Sequence, residues 1–342
     1  MATKGARMRT ESMAMRLSKQ PMSEGFILMD KGYNLGAMRL LTFKAEGAPP
    51  FQLGACLEAI ATITARMGEG EEAQESFKNA ADKYALIQQP VLGEVMKIRG
   101  VEAVEGTEAA LKLADDLIAQ CDPEGKATEL PDNKTKQNVA RAYHLRGDLR
   151  MQMGTIQEAL ADAQKAAAMG WDRVFEAHTL LGVLHAHVGD TAAARASLEK
   201  AIALNPNYLQ AYEELIPVLQ KEGEGARDAL LATLTKAIEL HPRAALIRAK
   251  AFALSEAGKD GDAIAMLDNY LANPPHEETE ALFTAPGATA CIFLKAKAAI
   301  FGDQNKLDDA IAAVQAALEK APGDEEATAM LSDLTEIKAK AE

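Results

Sequence analysis

The sequence predicts an all-α chain: an α-solenoid of about eight stacked helix–turn–helix units, closed at its C-terminal end by a capping helix. Three observations lead there. A block of about 34 residues recurs along the chain. Each block reads as two helical stretches around a turn. Aromatic residues make up only 5% while alanine is abundant, which suits close-packed helices better than sheet sandwiches.

Tyr143–Gly170 (YHLRGDLRMQMGTIQEALADAQKAAAMG) is the clearest block, and it recurs as His178–Pro206, Ile247–Pro275 and Leu294–Pro322. Ala159, Ala194, Ala229 and Ala263 take the same place early in the second helix, at separations of 35, 35 and 34 residues. Gly154, Gly189 and Gly258 mark the turn, where a helix stop calls for a left-handed residue. Thr191 and Asp260 are candidate caps of the second helix. Gly147 and Gly182 face Ala159 and Ala194, so the paired axes can approach closely. Ile202, Leu204, Ile238 and Leu240 recur at helical spacing on the buried side. Pro206, Pro242, Pro275 and Pro322 end the units, because proline cannot continue a helix.

In chain order, residues 1–20 form a basic tail: Lys4, Arg7, Arg9, Arg16 and Lys19 stand against Glu11 alone. It reads as a solvated segment, with an organelle presequence as the alternative. Three divergent units follow over 21–122. The first, Gly25–Pro50, places Gly32, Ala37, Leu41 and Pro49 in register; the second, Ala55–Ile87, has Gly68, Ala73, Phe77 and Ala80; the weakest, Val91–Gln120, is held by Ala110, Ala114 and Leu117. Cys121–Asn138 is polar, carries Pro123, Gly125 and Pro131, and reads as a linker centred on 123–137. Five stronger units occupy 138–322. Trp171, the single tryptophan, replaces a closing proline and is expected to pack between units. Tyr208–Pro242 has gained about two residues near Gly223–Gly225, and Pro217 should kink or shorten its first helix. An insertion at 276–288 reads as a surface loop. Over 323–342, Asp324 caps a last helix whose single apolar stripe is Leu331, Leu334 and Ile337.

At these residues the chain resembles the tetratricopeptide repeat family. The resemblance implies a right-handed superhelix whose first helices line a concave groove for peptides or partner helices. Mapped onto this sequence, that face carries Phe26, Glu58, Thr62, Val95, Arg99, His144, Asp148, Thr179, Val183, Glu213, Arg248, Phe252 and Lys295. Apolar anchors alternating with both signs of charge suit a polypeptide segment. Members that grip a chaperone's C-terminal carboxylate need a ring of Lys, Asn and Arg, and here those places hold Met22, Phe26, Glu58, Thr62, Val95 and Arg99 at one end and His144, Asp148, Thr179 and Val183 further on. A chaperone adaptor is therefore disfavoured.

The remaining composition excludes classes of function. With 37 basic and 50 acidic residues, the net charge of −13 argues against a phosphate-backbone binder. At 48% hydrophobic and 25% charged, the chain is too apolar for disorder. Cys56, Cys121 and Cys291 are odd in number and widely spaced, which implies neither a disulfide framework nor a CxxC site and fits a reducing compartment. No apolar run reaches the length of a membrane span. No phosphate-binding GxxxxGK[ST] or HExxH motif occurs. His178, His185 and His187 form the one histidine cluster, and the first two fall where the repeat packs. Asp115–Asp116, Glu213–Glu214 and Asp308–Asp309 are sequence neighbours pointing about 100° apart, hence poor acid–base pairs.

The expectation is a non-catalytic, intracellular scaffold without cofactor or metal, most simply cytoplasmic, binding a partner protein as a subunit of a larger assembly such as a cytoskeletal or ciliary one. Two alternatives stand beside it: an RNA-binding helical repeat, and an enzyme or metal-binding protein built on His178 and His185.

Overall fold

Alanine at one recurring position sets how closely the helices pair. In the computed structural model, which describes residues 20–274 and 287–341, the described secondary structure is helical throughout. Residues 1–19, 275–286 and 342 lie outside the described residues, and with them all but the last residue of the basic tail 1–20 and most of the 276–288 insertion.

Most of the helices follow one another as packed pairs. They are α1 (Met22–Asp30) with α2 (Asn34–Ala45), α3 (Pro50–Arg66) with α4 (Gly70–Leu86), and α5 (Pro90–Glu105) with α6 (Thr107–Cys121). After a short 3-10 turn at Ala127–Glu129 come α7 (Asn133–Gln152) with α8 (Ile156–Met169); α9 (Val174–His187) packs on α8, and α10 (Thr191–Leu204) packs on the helix that follows it. Then follow α11 (Leu209–Glu222) with α12 (Arg227–Leu240), α13 (Ala244–Glu256) with α14 (Asp260–Ala272), and α15 (Ala288–Asp303) with α16 (Leu307–Lys320). The single helix α17 (Glu325–Ala341) ends the array; Asp324 accepts a hydrogen bond from the Ala327 amide at 2.7 Å and so caps it. The chain divides into two compact units, 1–188 and 189–342. Within each, helices pack mainly on their neighbours in sequence.

The fourth residue of each second helix is Ala37, Ala73, Ala110, Ala159, Ala194, Ala263 or Ala310, all fully buried. The pair α11/α12 departs from this. A 3-10 turn at Gly223–Ala226 moves the start of α12, so the fourth position belongs to buried Leu230, and Ala229, which the spacing predicts there, lies one residue off. The repeat absorbs the insertion by exchanging a small contact for a large one. Gly147 matches the small-residue expectation: a Cβ there would meet the Ala159 carbonyl oxygen and Leu180 Cδ2 at 3.3 Å and Asp162 Cβ at 3.4 Å.

The turns follow the predicted chemistry. Gly154, Gly189 and Gly258 have φ between 71° and 82°, the left-handed region. In the last pair Asn305 takes that conformation, at φ 57°. Two predicted caps move by one residue. Asp190, not Thr191, caps α10 by accepting from the Ala193 amide at 3.0 Å; Lys259 precedes α14, and Asp260 lies in its first turn. Carboxylates in that turn still favour the positive helix end. Pro217 does not shorten its helix: α11 runs through it, with the ring on the exposed side.

Candidate functional site

Within residues 20–188 the first helices, with the segments leading into them, bring their charged side chains together. Asp30 ends α1, Glu58 lies on α3, Arg99 on α5, Arg141, His144 and Asp148 on α7, and Glu176 on α9, with Asp172 and Arg173 just before it. Residues 141, 144 and 148 share one face of α7, as 176, 179 and 183 share one face of α9. Helical periodicity therefore places these groups on common stripes.

Two arginines organise the cluster. Arg141 donates through Nη1 to both Glu58 carboxylate oxygens, at 3.3 and 3.2 Å, and through Nη2 to Asp172, at 3.3 and 3.2 Å. Its guanidinium lies 5.4 Å from the centre of the Trp171 ring. Arg173 donates through Nη2 to Asp30 and through Nε to Glu176, each at 2.8 Å, and sits 4.8 Å from the Phe175 ring centre. Tyr84, on α4, donates its hydroxyl to Glu58 at 2.7 Å. Arg141 and Asp30 are only 12% and 10% exposed, so Arg141–Glu58 and Arg173–Asp30 work largely out of water, whereas Asp172 stays exposed. Removing one partner from such a pair strands the other charge, which costs far more than losing a surface bridge.

The environment fixes the charge states. Burial alone would raise the Glu176 carboxyl, but the Arg173 guanidinium overrides it and holds the group at about 2. Burial lowers the His144 imidazole; Glu176 and Asp148 oppose the shift, while Arg99 and Arg141 add to it. The His144 and Trp171 ring centres are 5.4 Å apart, so this imidazole is a packed member of the wall.

A second network ties the pairs together from behind. Asp162, on α8 and 2% exposed, accepts from Arg146 at 2.7 and 2.8 Å and from Arg150 at 2.8 Å, and both arginines also reach Asp115 on α6 at 3.1 Å. Tyr143 donates its hydroxyl to buried Asp122 at 2.6 Å. These residues fasten α6, α7 and α8 and so fix the face from which Arg141 and His144 project.

Of the residues the sequence assigns to the groove, Glu58, Arg99, His144 and Asp148 meet in this one electrostatic cluster. Val95 and Thr179 differ from that expectation. Val95 is buried in the core cluster with Tyr84 and Met96, and Thr179 is buried with its hydroxyl donating to the Phe175 carbonyl at 3.0 Å. Phe26 is half-buried against Met29, Leu41 and Ile63, and Val183 is half-buried. Thr62, also half-buried, donates to the Glu58 carbonyl at 2.8 Å.

In residues 189–342, Glu213 pairs with Arg243 at 2.6 Å and Lys295 with Asp324 at 3.0 Å. Arg248 is exposed and Phe252 half-buried, one turn apart on α13. His178 is buried, His185 half-buried and His187 exposed. Among the described residues no group of three or more His, Cys, Asp and Glu side chains is placed to hold a metal ion. None of the described helices is long and apolar enough to cross a membrane.

Arg141, Asp172, Arg173 and Glu176 escape a reading that scores each unit separately. The signal for Arg141 and Glu176 was present: each falls on the stripe that already holds an assigned residue.

The fold defines a helical-repeat protein in which, within residues 20–188, the first helices share one face. The tetratricopeptide repeat family model matches residues 144–208, from within α7 through α10, and these residues are similar to that family. No curated protein matches it. Among solved structures, it is similar to the hetero-tetramer of Cut9 and Hcn1 from the APC/C, at 14% identity and a TM-score of 0.53, over 93% of this chain and 56% of that one. The chain thus spans little more than half the length of that relative. It is also similar to a tetratricopeptide repeat protein from Parabacteroides merdae (16% identity, 83% of this chain and 99% of that one, TM-score 0.42). A third is YrrB, described as having an unusual peptide-binding site (20% identity, 59% and 95%, TM-score 0.42).

Proposed function

We propose that this protein is a non-catalytic scaffold that holds partner polypeptide segments against its first helices, as a subunit of a larger intracellular assembly. The observation that carries the reading is Arg248 with Phe252 on α13. An exposed cation and a half-buried aromatic ring one turn apart form the kind of anchor and polar rim that interfaces favour. Solenoids of this type present surfaces built from many units, and their chemistry is that of contact. The Cut9 relative is itself found in a hetero-tetramer, which supports membership of a complex. Three free cysteines support a reducing compartment.

The test is affinity capture from the cell of origin with the wild-type chain and with an Arg248→Glu, Phe252→Glu variant. Loss of specific partners from the variant, with helicity unchanged, is expected. Identical partner sets from two equally folded chains would remove this face from the reading. A purified chain that turns over a substrate would end the scaffold assignment.

A further inference from the structure

Arg173 reaches Asp30 across 143 residues of sequence, and Arg141 reaches Glu58 across 83. These two links join the start of α9 to α1 and α7 to α3, whereas the extensive helix packing runs between near neighbours in the chain. The closing contacts are therefore made by long side chains.

The arginines are preset from their own side. Arg141 lies over Trp171 and is already paired with Asp172, while Arg173 lies over Phe175 and is already paired with Glu176. On the opposite side, Glu58 is held by the Tyr84 hydroxyl. Each arginine thus has one carboxylate from the turn or first residues of α9, Asp172 for Arg141 and Glu176 for Arg173, and one from a more distant helix. If the distant pair separates, neither arginine is left as an orphaned buried charge. That spares the arginine side of each link the penalty of a stranded buried charge, so the cost of separation falls on Asp30 and Glu58 alone, and an element with two arrangements is what a switch requires.

We propose that Asp30–Arg173 and Glu58–Arg141 form a two-point latch, holding the inner wall of residues 20–188 shut and releasing as a unit to uncover it. The consequence for partner binding rests on the scaffold reading, but the latch belongs to the isolated chain and is tested without any partner.

Trp171, the single tryptophan, is 7% exposed beneath Arg141, so its fluorescence reports on the wall. The probe is acrylamide quenching of the full chain, comparing wild type with the near-isosteric Asp30→Asn, Glu58→Gln variant and following helicity by far-ultraviolet circular dichroism. At unchanged helicity, the latch requires the Trp171 quenching constant to rise at least about threefold as the open population grows. Unchanged quenching at unchanged helicity overturns the proposal, because packing alone would then keep the wall shut. Loss of helicity in this variant overturns it too, because the pairs would then be rivets of the fold. A second variant, Asp172→Asn, removes a carboxylate on the arginine's own side and leaves both distant pairs in place; quenching at the wild-type level is expected there. A rise equal to that of the double variant would assign the effect to general loosening around Arg141 and refute the latch.

Discussion

Replacing Glu176 with glutamine isolates the electrostatic part of the inner wall. The carboxyl is lowered from its ordinary 4.5 to about 2, the Arg173 guanidinium outweighing the opposing effect of burial. A displacement of that size corresponds to about 3 kcal/mol favouring the ionised form. The side chain is 19% exposed, so solvent screening reduces the contribution to about 2 kcal/mol. Because the folded value lies below the unfolded one, this stability is fully present above about pH 4.5 and is lost as pH falls toward 2. Glutamine keeps the shape and a hydrogen-bonding carbonyl but carries no charge at any pH. Glu176→Gln should therefore destabilise residues 20–188 by about 2 kcal/mol at pH 7, with the gap clearly narrowed by pH 2.5 and closing only as pH falls through about 2. Urea unfolding followed through Trp171 reads this part of the chain specifically, which matters because repeat arrays do not unfold as one unit. Equal stability at pH 7 would refute the assigned ion pair. A gap that persists undiminished to pH 2.5 would show that packing, not charge, holds Glu176.

Two further outcomes test the helix pairing. Gly147→Val adds bulk where a single Cβ already meets three atoms at 3.3–3.4 Å, so it should cost about 2 to 3 kcal/mol in the same unfolding assay. Gly147→Ala should stay within about 1 kcal/mol of wild type, because a gain in helix propensity offsets the tighter contact. Pro217 is exposed inside α11 and supplies no amide to the helix ladder, so Pro217→Ala should stabilise residues 189–342 by about 1 to 2 kcal/mol in thermal melts followed by circular dichroism.

Much of the architecture follows from local chemistry, and so was legible in the sequence. Alanine at the fourth place of the second helices, glycine at the turns and proline after the helix ends each act within a few residues. Their repetition yields the order of the helices without knowledge of any long-range contact. Local reading fails where a neighbour compensates. The 3-10 turn at Gly223–Ala226 shifts α12 by one residue and puts Leu230 where Ala229 is expected. Asp190 caps α10 one residue before the threonine assigned to that role. Val95 and Thr179 lie at groove positions by spacing, yet neighbouring helices cover them.

The sequence alone determined that this chain is a helical repeat with charged and apolar residues on its first helices, because periodicity records which face of each helix is shared. Only the tertiary structure decided which of those charges meet. Arg173 with Asp30 and Arg141 with Glu58 join segments 143 and 83 residues apart. No local propensity encodes such a pairing; it depends on the small rotation between successive helix pairs, summed over several units until distant side chains come within reach of one another.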